Sequence, residues 1–169
     1  MTKDQRTVAI GAVAGLLFMI ASMTLLPQRL SAPIPANGAD RLAYALRWDA
    51  LAAVPFLLML ITVGNARFLS KAIDPTIGAE SQRLIVNGRV ADNTTQQLLL
   101  FLVASLALSL VVAPDRLSTI AAAAITFVAA RLAFWAGYLI RPVHRAFGFA
   151  ATGSLNVWLL GSALWLSLR

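Results

Sequence analysis

The feature that most constrains this sequence is a series of long runs without a single charge. Residues 93–114 give 22 consecutive uncharged positions, and residues 146–168 give 23. About 20 apolar residues in an α-helix cross a hydrocarbon core of ~30 Å, and a backbone in lipid has to bond internally. Such runs therefore fold as membrane-spanning helices. Composition agrees, because 59% hydrophobic and 12% charged residues are outside the range of a soluble domain of 169 residues.

Taken in order, the chain predicts five spans. Lys3 and Arg6 precede an uncharged stretch at 7–28 whose apolar core is 8–26. That core exceeds the ~7 to 15 apolar residues of a secretory signal, so it reads as a first transmembrane helix. Within it Gly11 and Gly15 form a small-xxx-small pair suited to close helix approach. Residues 27–39 hold three prolines and a glycine and read as a loop. A second span follows at 44–64, with Arg47 and Asp49 at interfacial depth on different helix faces and Pro55 introducing a kink. Residues 65–87 form the longest polar connection, long enough to hold an interfacial helix or cover a site. The third span is 90–112, and Pro114-Asp115-Arg116 then turns the chain tightly into a fourth at 117–140. This makes the third and fourth helices antiparallel neighbours. Pro142 ends the fourth, and 146–168 supply the fifth. The fold class is all-α integral membrane, with an N-terminal helix and loop at 1–39 and a four-helix domain at 40–169.

Charge sets orientation. The formal charge is +7, and no basic run is interleaved with aromatics in the manner of a nucleic-acid surface. Outside the spans, eight Lys and Arg residues fall on the side of the N-terminus, the long connection and the last loop, against five on the other. The positive-inside rule places the N-terminus in the cytoplasm. Arginine and alanine abundance with only two lysines suggests a GC-rich bacterial genome, and hence the inner membrane. There is no cysteine and His144 is the only histidine, which excludes disulfides, thiolate-held metals and a multi-histidine metal site. Any thiol chemistry has to arrive with a ligand.

Two polar faces stand out against this background. Arg89, Asn93 and Gln96 recur at spacings of four and three at the start of the third span, so they share a helix face. Arg131, Phe134, Tyr138, Arg141 and Arg145 repeat the pattern along the fourth span and past its end. An arginine within a span normally faces a bundle interior or polar cavity, which makes Arg131 a site candidate. It can equally serve packing by bonding helix ends, Asp92 or Asn93. Arg141 has the simpler reading of a topology marker, and Tyr138 that of an interfacial aromatic.

The pattern Arg89-x-x-x-Asn93-x-x-Gln96, followed one helix later by Arg131-x-x-Phe134-x-x-x-Tyr138 and Arg145 seven residues on, resembles the MAPEG superfamily. These are membrane-associated proteins in eicosanoid and glutathione metabolism. The resemblance covers roughly 45–168, so 1–39 is an N-terminal addition to a four-helix bundle. Gly64-Asn65-Ala66-Arg67-Phe68 and Arg145-Ala146-Phe147-Gly148-Phe149 also resemble the five-span eukaryotic branch. The resemblance implies a homotrimer with glutathione held between protomers as co-substrate. It gives Arg89 and Arg131 the carboxylates of glutathione, and Asn93 and Gln96 its amino end. Arg145 takes the thiol-activating position, with Tyr138 beside it as the second catalytic candidate, and Arg67 is a further contact. A lipophilic electrophile would enter from the bilayer.

Two positions depart from the family pattern. Gln96 stands where it has glutamate and Phe134 where tyrosine is common, so an ammonium partner and a hydroxyl donor are missing. Three functions follow: a glutathione-dependent transferase or peroxidase at the cytoplasmic face, a catalytically silent lipid-binding or scaffold protein of the same fold, and a small transporter motivated by Arg131 alone.

Overall fold

The computed structural model describes residues 1–35 and 37–169. Among them five helices are long and apolar enough to cross a membrane. They are α1 (Lys3–Arg29), α2 (Gly38–Phe68), α3 (Gln82–Val111), α4 (Ser118–Ile140) and α5 (Ala146–Ser167). The helices run beyond the apolar runs because polar side chains cap them outside the lipid-like segment. Thr2 and Gln5 form a reciprocal capping box at the start of α1. Asn37 Oδ1 accepts from the Asp40 amide at 3.0 Å, and Ser81 Oγ accepts from the Leu84 amide at 3.2 Å, starting α2 and α3.

This shortens both expected connections. Pro27 lies inside the last turn of α1 instead of opening a loop, and Ala36, read from sequence as part of that loop, lies outside the described residues. The 65–87 connection contracts to residues 69–81 and contains two short 3₁₀ turns, Lys71–Ile73 and Pro75–Ile77, in place of an interfacial helix. Asp74 starts the second turn, accepting from the Thr76 hydroxyl at 2.6 Å and the Thr76 amide at 2.9 Å, which together hold its carboxyl below the usual range. Gly78 ends that turn at φ 67°, a left-handed conformation that glycine adopts without strain. Pro55 is accommodated within an α2 that continues through it.

Helix α4 occupies the centre and packs against all four others. Its apolar residues are small where neighbours converge: Ala121, Ala122, Ala123 and Ala124 are fully buried, and Phe127 meets Phe101 of α3 with ring centroids 4.6 Å apart. Small side chains let backbones close without a hydrophobic drive, which lipid cannot supply. The same device joins α1 to α5. A Cβ on Gly15 would overlap the Phe147 carbonyl oxygen and stand 3.0 Å from the Ala151 amide nitrogen, so the Gly11/Gly15 pair packs as its spacing suggests. Gly148 is held as tightly against Ala130 and Phe134 of α4.

Polar groups inside the bundle are bonded across helices. Ser105 Oγ of α3 donates to Asp49 Oδ1 of α2 at 2.8 Å, so Asp49 turns into the protein while Arg47 remains exposed. Asn156 of α5 donates to the Gln97 side chain and carbonyl of α3, each at 2.9 Å. Arg41 donates to the Val112 and Ser109 carbonyls at 2.6 and 3.1 Å, satisfying acceptors that the end of α3 leaves open. Large apolar side chains such as Leu17, Leu57, Leu99 and Trp165 face outward, as a lipid-facing surface requires.

Candidate functional site

The site lies at the end of the bundle that carries the N-terminus, the 69–81 connection and the α4–α5 turn. Its base is a small apolar cluster of Met59, Val86, Val90, Ala91, Phe134 and Tyr138, drawn from α2, α3 and α4. Trp135 Nε1 donates to Asn87 Oδ1 at 2.9 Å and fixes α4 against α3 beside that cluster.

On this base the predicted residues of α4 form a column. Arg131 is fully buried. Its Nη1 donates to Asn93 Oδ1 at 2.9 Å and to Thr94 Oγ1 at 3.5 Å, and its Nη2 donates to Thr152 Oγ1 at 2.8 Å and to the Gly148 carbonyl at 3.4 Å. The guanidinium carbon stands 4.2 Å from the centre of the Phe134 ring. Phe134 meets Tyr138 edge-on at 5.8 Å, and the guanidinium carbon of Arg145 lies 4.8 Å from the centre of the Tyr138 ring. Two aromatic rings thus stand between two cations from the protein centre to the surface, and each cation–ring contact is worth about 0.5–1 kcal/mol, or more as solvent is excluded.

The two ends of the column differ chemically. Both terminal nitrogens of Arg131 are engaged within the protomer, which is the packing arrangement of the two readings open for that residue. Arg145 is exposed, and among the described residues it has neither hydrogen bond nor ion pair. It extends from the short turn Pro142–Arg145 that follows α4. Arg141, in contrast, is paired with Asp4 at 2.7 Å and ties the start of α1 to that turn.

The structure brings Asn93, Arg131, Phe134, Tyr138 and Arg145 together and places the other predicted residues elsewhere. Arg89 and Gln96 are exposed on the outer face of α3, while Asn93 turns partly inward to Arg131. Arg67 pairs with Glu80 at 2.8 Å, joining the end of α2 to the connection. Beside Tyr138 is a cleft of about 590 Å³ bounded by Gln82, Arg83, Val86, Leu139 and Pro142. On the other side of Pro142 an apolar groove of about 660 Å³ runs between α1 and α5, with Arg145 among its walls. Among the described residues no cluster of three His, Asp or Glu side chains could hold a metal.

Thr152, Glu80, Arg83 and the α1–α5 groove were not anticipated from sequence. A lone threonine in an apolar run ordinarily bonds to its own helix, as Thr152 also does to the Gly148 carbonyl at 2.8 Å, so its second bond to Arg131 leaves no periodic trace.

No curated protein and no solved structure shows significant similarity to the chain. A family model does: that of the MAPEG family matches residues 45–165, which spans α2 to α5 apart from the ends and leaves α1 outside. With five apolar helices and a match over most of its length, this integral membrane protein belongs to the MAPEG family.

Proposed function

We propose that the protein is a glutathione-dependent transferase or peroxidase acting on a lipophilic substrate, assembled as a homotrimer with glutathione bound between protomers. The observation that carries the reading is Arg145, an exposed guanidinium with no acidic partner among the described residues, stacked on Tyr138 beside a cleft that also holds Arg83. An uncompensated cation next to a bound thiol stabilises the thiolate, which is the nucleophile, and the chain has no thiol of its own. In conjugation the sulfur forms a bond to an electrophilic carbon, and the thiol proton ends on the product or its leaving group. In reduction, two glutathione thiols and one hydroperoxide give the disulfide, an alcohol and water.

In this reading Arg145 activates the thiol and the Tyr138 ring holds it in place. Arg89 and Gln96, outward on α3, meet a ligand shared with a neighbouring protomer, where arginine suits bidentate capture of a carboxylate. Arg131 is a positioning residue that orients Asn93 and supports Phe134, and Arg67 contributes through its exposed side. Counting basic residues supports a cytoplasmic location for this end. Many arginines and few lysines support a bacterial inner membrane.

The test is thermal unfolding of the detergent-purified protein with and without millimolar glutathione, alongside Arg145→Ala and Arg89→Ala. Occupancy at 100 times the dissociation constant stabilises by about 2.7 kcal/mol. A shift in the wild type that shrinks in both variants is expected. An intact assembly with no shift would overturn the reading in favour of a silent lipid-binding member of the family, the alternative suggested by Gln96 and Phe134.

A further inference from the structure

Arg145 has neither hydrogen bond nor ion pair among the described residues, and its side chain is long and flexible. The place of its charge is therefore set by the Tyr138 ring and by the turn that carries it. That turn is seated on glycines from two helices. A Cβ on Gly137 of α4 would stand 2.7 Å from the His144 carbonyl oxygen and 3.3 Å from the Arg145 amide nitrogen. A Cβ on Gly11 of α1 would stand 3.2 Å from the Ala146 Cβ and 3.3 Å from the Phe147 amide nitrogen. The chain on either side of Arg145 thus rests where a side chain is missing, one seat belonging to α4 and the other to α1.

The start of the turn is tied to the same two helices. The Arg141 amide donates to the Gly137 carbonyl of α4 at 3.0 Å, and the His144 amide donates to the Arg141 carbonyl at 2.8 Å. The Arg141 side chain donates to Asp4 of α1 at 2.7 Å. Both partners of that ion pair are about half exposed, so it directs the start of α1 to the turn more than it holds it there. Phe18 and Phe147, with ring centroids 5.5 Å apart, continue the contact between α1 and α5. Attraction between a cation and a ring is confined to roughly 6 Å, and the Arg145 guanidinium carbon is 4.8 Å from the Tyr138 ring centre. A turn lifted by ~1–2 Å gives that attraction up. Gly11 and Asp4 belong to α1, which lies outside the segment that matches the family.

We propose that α1 sets the position of the exposed guanidinium: Gly11 and Asp4, with Gly137 of α4, are positioning residues that hold the α4–α5 turn where Arg145 stacks on Tyr138. Each acts through the turn and not on a ligand. Bulk at Gly11 pushes Ala146 and Phe147 away from α1, bulk at Gly137 pushes His144 away from α4, and either displaces the residue between them. The consequence for thiol activation rests on the proposed role of Arg145, whereas the geometric part stands without it.

The experiment is NMR of the full-length, arginine-labelled protein in detergent micelles, reading the ring-current shift that the Tyr138 face imposes on the Arg145 side-chain protons. Arg145→Gln assigns the signal by its loss, and Tyr138→Leu sets the unshifted value. Gly11→Leu and Gly137→Ala are expected to remove most of the shift, while Gly161→Leu, which grows into open space, leaves it in place. Asp4→Lys should remove part of it, and Asp4→Lys combined with Arg141→Glu, which restores opposite charges, should return it. A full shift in folded Gly11→Leu, or in Asp4→Lys where Gly11→Leu does not fold, overturns the proposal. A second measurement follows the ultraviolet thiolate absorbance of saturating glutathione against pH, with S-methylglutathione as the blank. Its midpoint in the wild type is expected below the ordinary thiol value of about 8.5, and Gly11→Leu should raise that midpoint by about half a unit or more, roughly a threefold loss of thiolate well below it. Equal midpoints in the two proteins would overturn the part of α1 in activation. If the wild type itself shows no glutathione thiolate, the proposed role of Arg145 falls, while the ring-current comparison still decides whether α1 sets its place.

Discussion

At the scale of single residues, two arginines on one helix and its following turn have opposite circumstances. The two terminal nitrogens of Arg131 bond to side chains and a carbonyl from α3 and α5 while its buried Nε has no partner among the described residues, and its planar fork is what allows both terminal nitrogens to bond at once. Lysine at this position cannot span Asn93 and Thr152, so Arg131→Lys should lower stability by about 2 kcal/mol, the order of a lost hydrogen bond to a charged group. Thr152→Val should lower it by about 1 kcal/mol, within the range of polar contacts between membrane helices. Denaturation in mixed micelles measures both. For Arg145 the informative variable is pH. If its cation lowers the thiol pKa, wild-type turnover reaches its plateau below the ordinary thiol value of about 8.5, while Arg145→Ala keeps rising towards it. The ratio of the two rates is then largest below the lowered pKa, about tenfold for each unit of lowering, and narrows as alkali ionises the thiol without help. A ratio constant from pH 6 to pH 9 would remove Arg145 from thiol activation. The inward position of Arg131 was legible from one charge inside an apolar run. The satisfying Thr152 was not, because its hydroxyl is equally at home bonding to its own helix.

At the scale of elements, hydrophobicity marks the portion of a helix that sits in lipid and says less about where the helix ends. The apolar run at 44–64 is embedded in a helix from Gly38 to Phe68, and α3 begins at Gln82, well before its apolar face. Side chains such as Asn37 and Ser81 set those ends, and either could equally have belonged to a turn. Close approach was more readable, because Gly11 and Gly15 repeat at the spacing of one helix face. Gly15→Leu should therefore separate α1 from α5, lowering the unfolding free energy by about 1–3 kcal/mol as overpacking does. Gly161→Leu, at a position with open space around the missing Cβ, is the matched control and should have little effect.

At the scale of the whole molecule, five antiparallel helices put three features at one end: the start of α1, the 69–81 connection and the turn bearing Arg145. Having no cysteine, the chain is suited to mapping which side that end occupies. Lys71→Cys should react with an impermeant maleimide only after cells are opened, and Asp115→Cys should react from outside; the reverse pattern would invert the orientation inferred from basic residues. The division of α3 into an inward Asn93 and outward Arg89 and Gln96 was hidden from sequence, since all three share a face and only the tertiary position of Arg131 separates them. That same arginine bears on how the chain is made. Its hydrogen-bond partners lie partly on α3, synthesised before it, and partly at Gly148 and Thr152, synthesised after. A guanidinium at the centre of a helix opposes insertion by about 2.5–3.5 kcal/mol. While the ribosome is still extending α5, α4 is an incompletely stabilised newcomer to the bilayer, and emergence of Thr152 supplies the remaining bonds that hold it there.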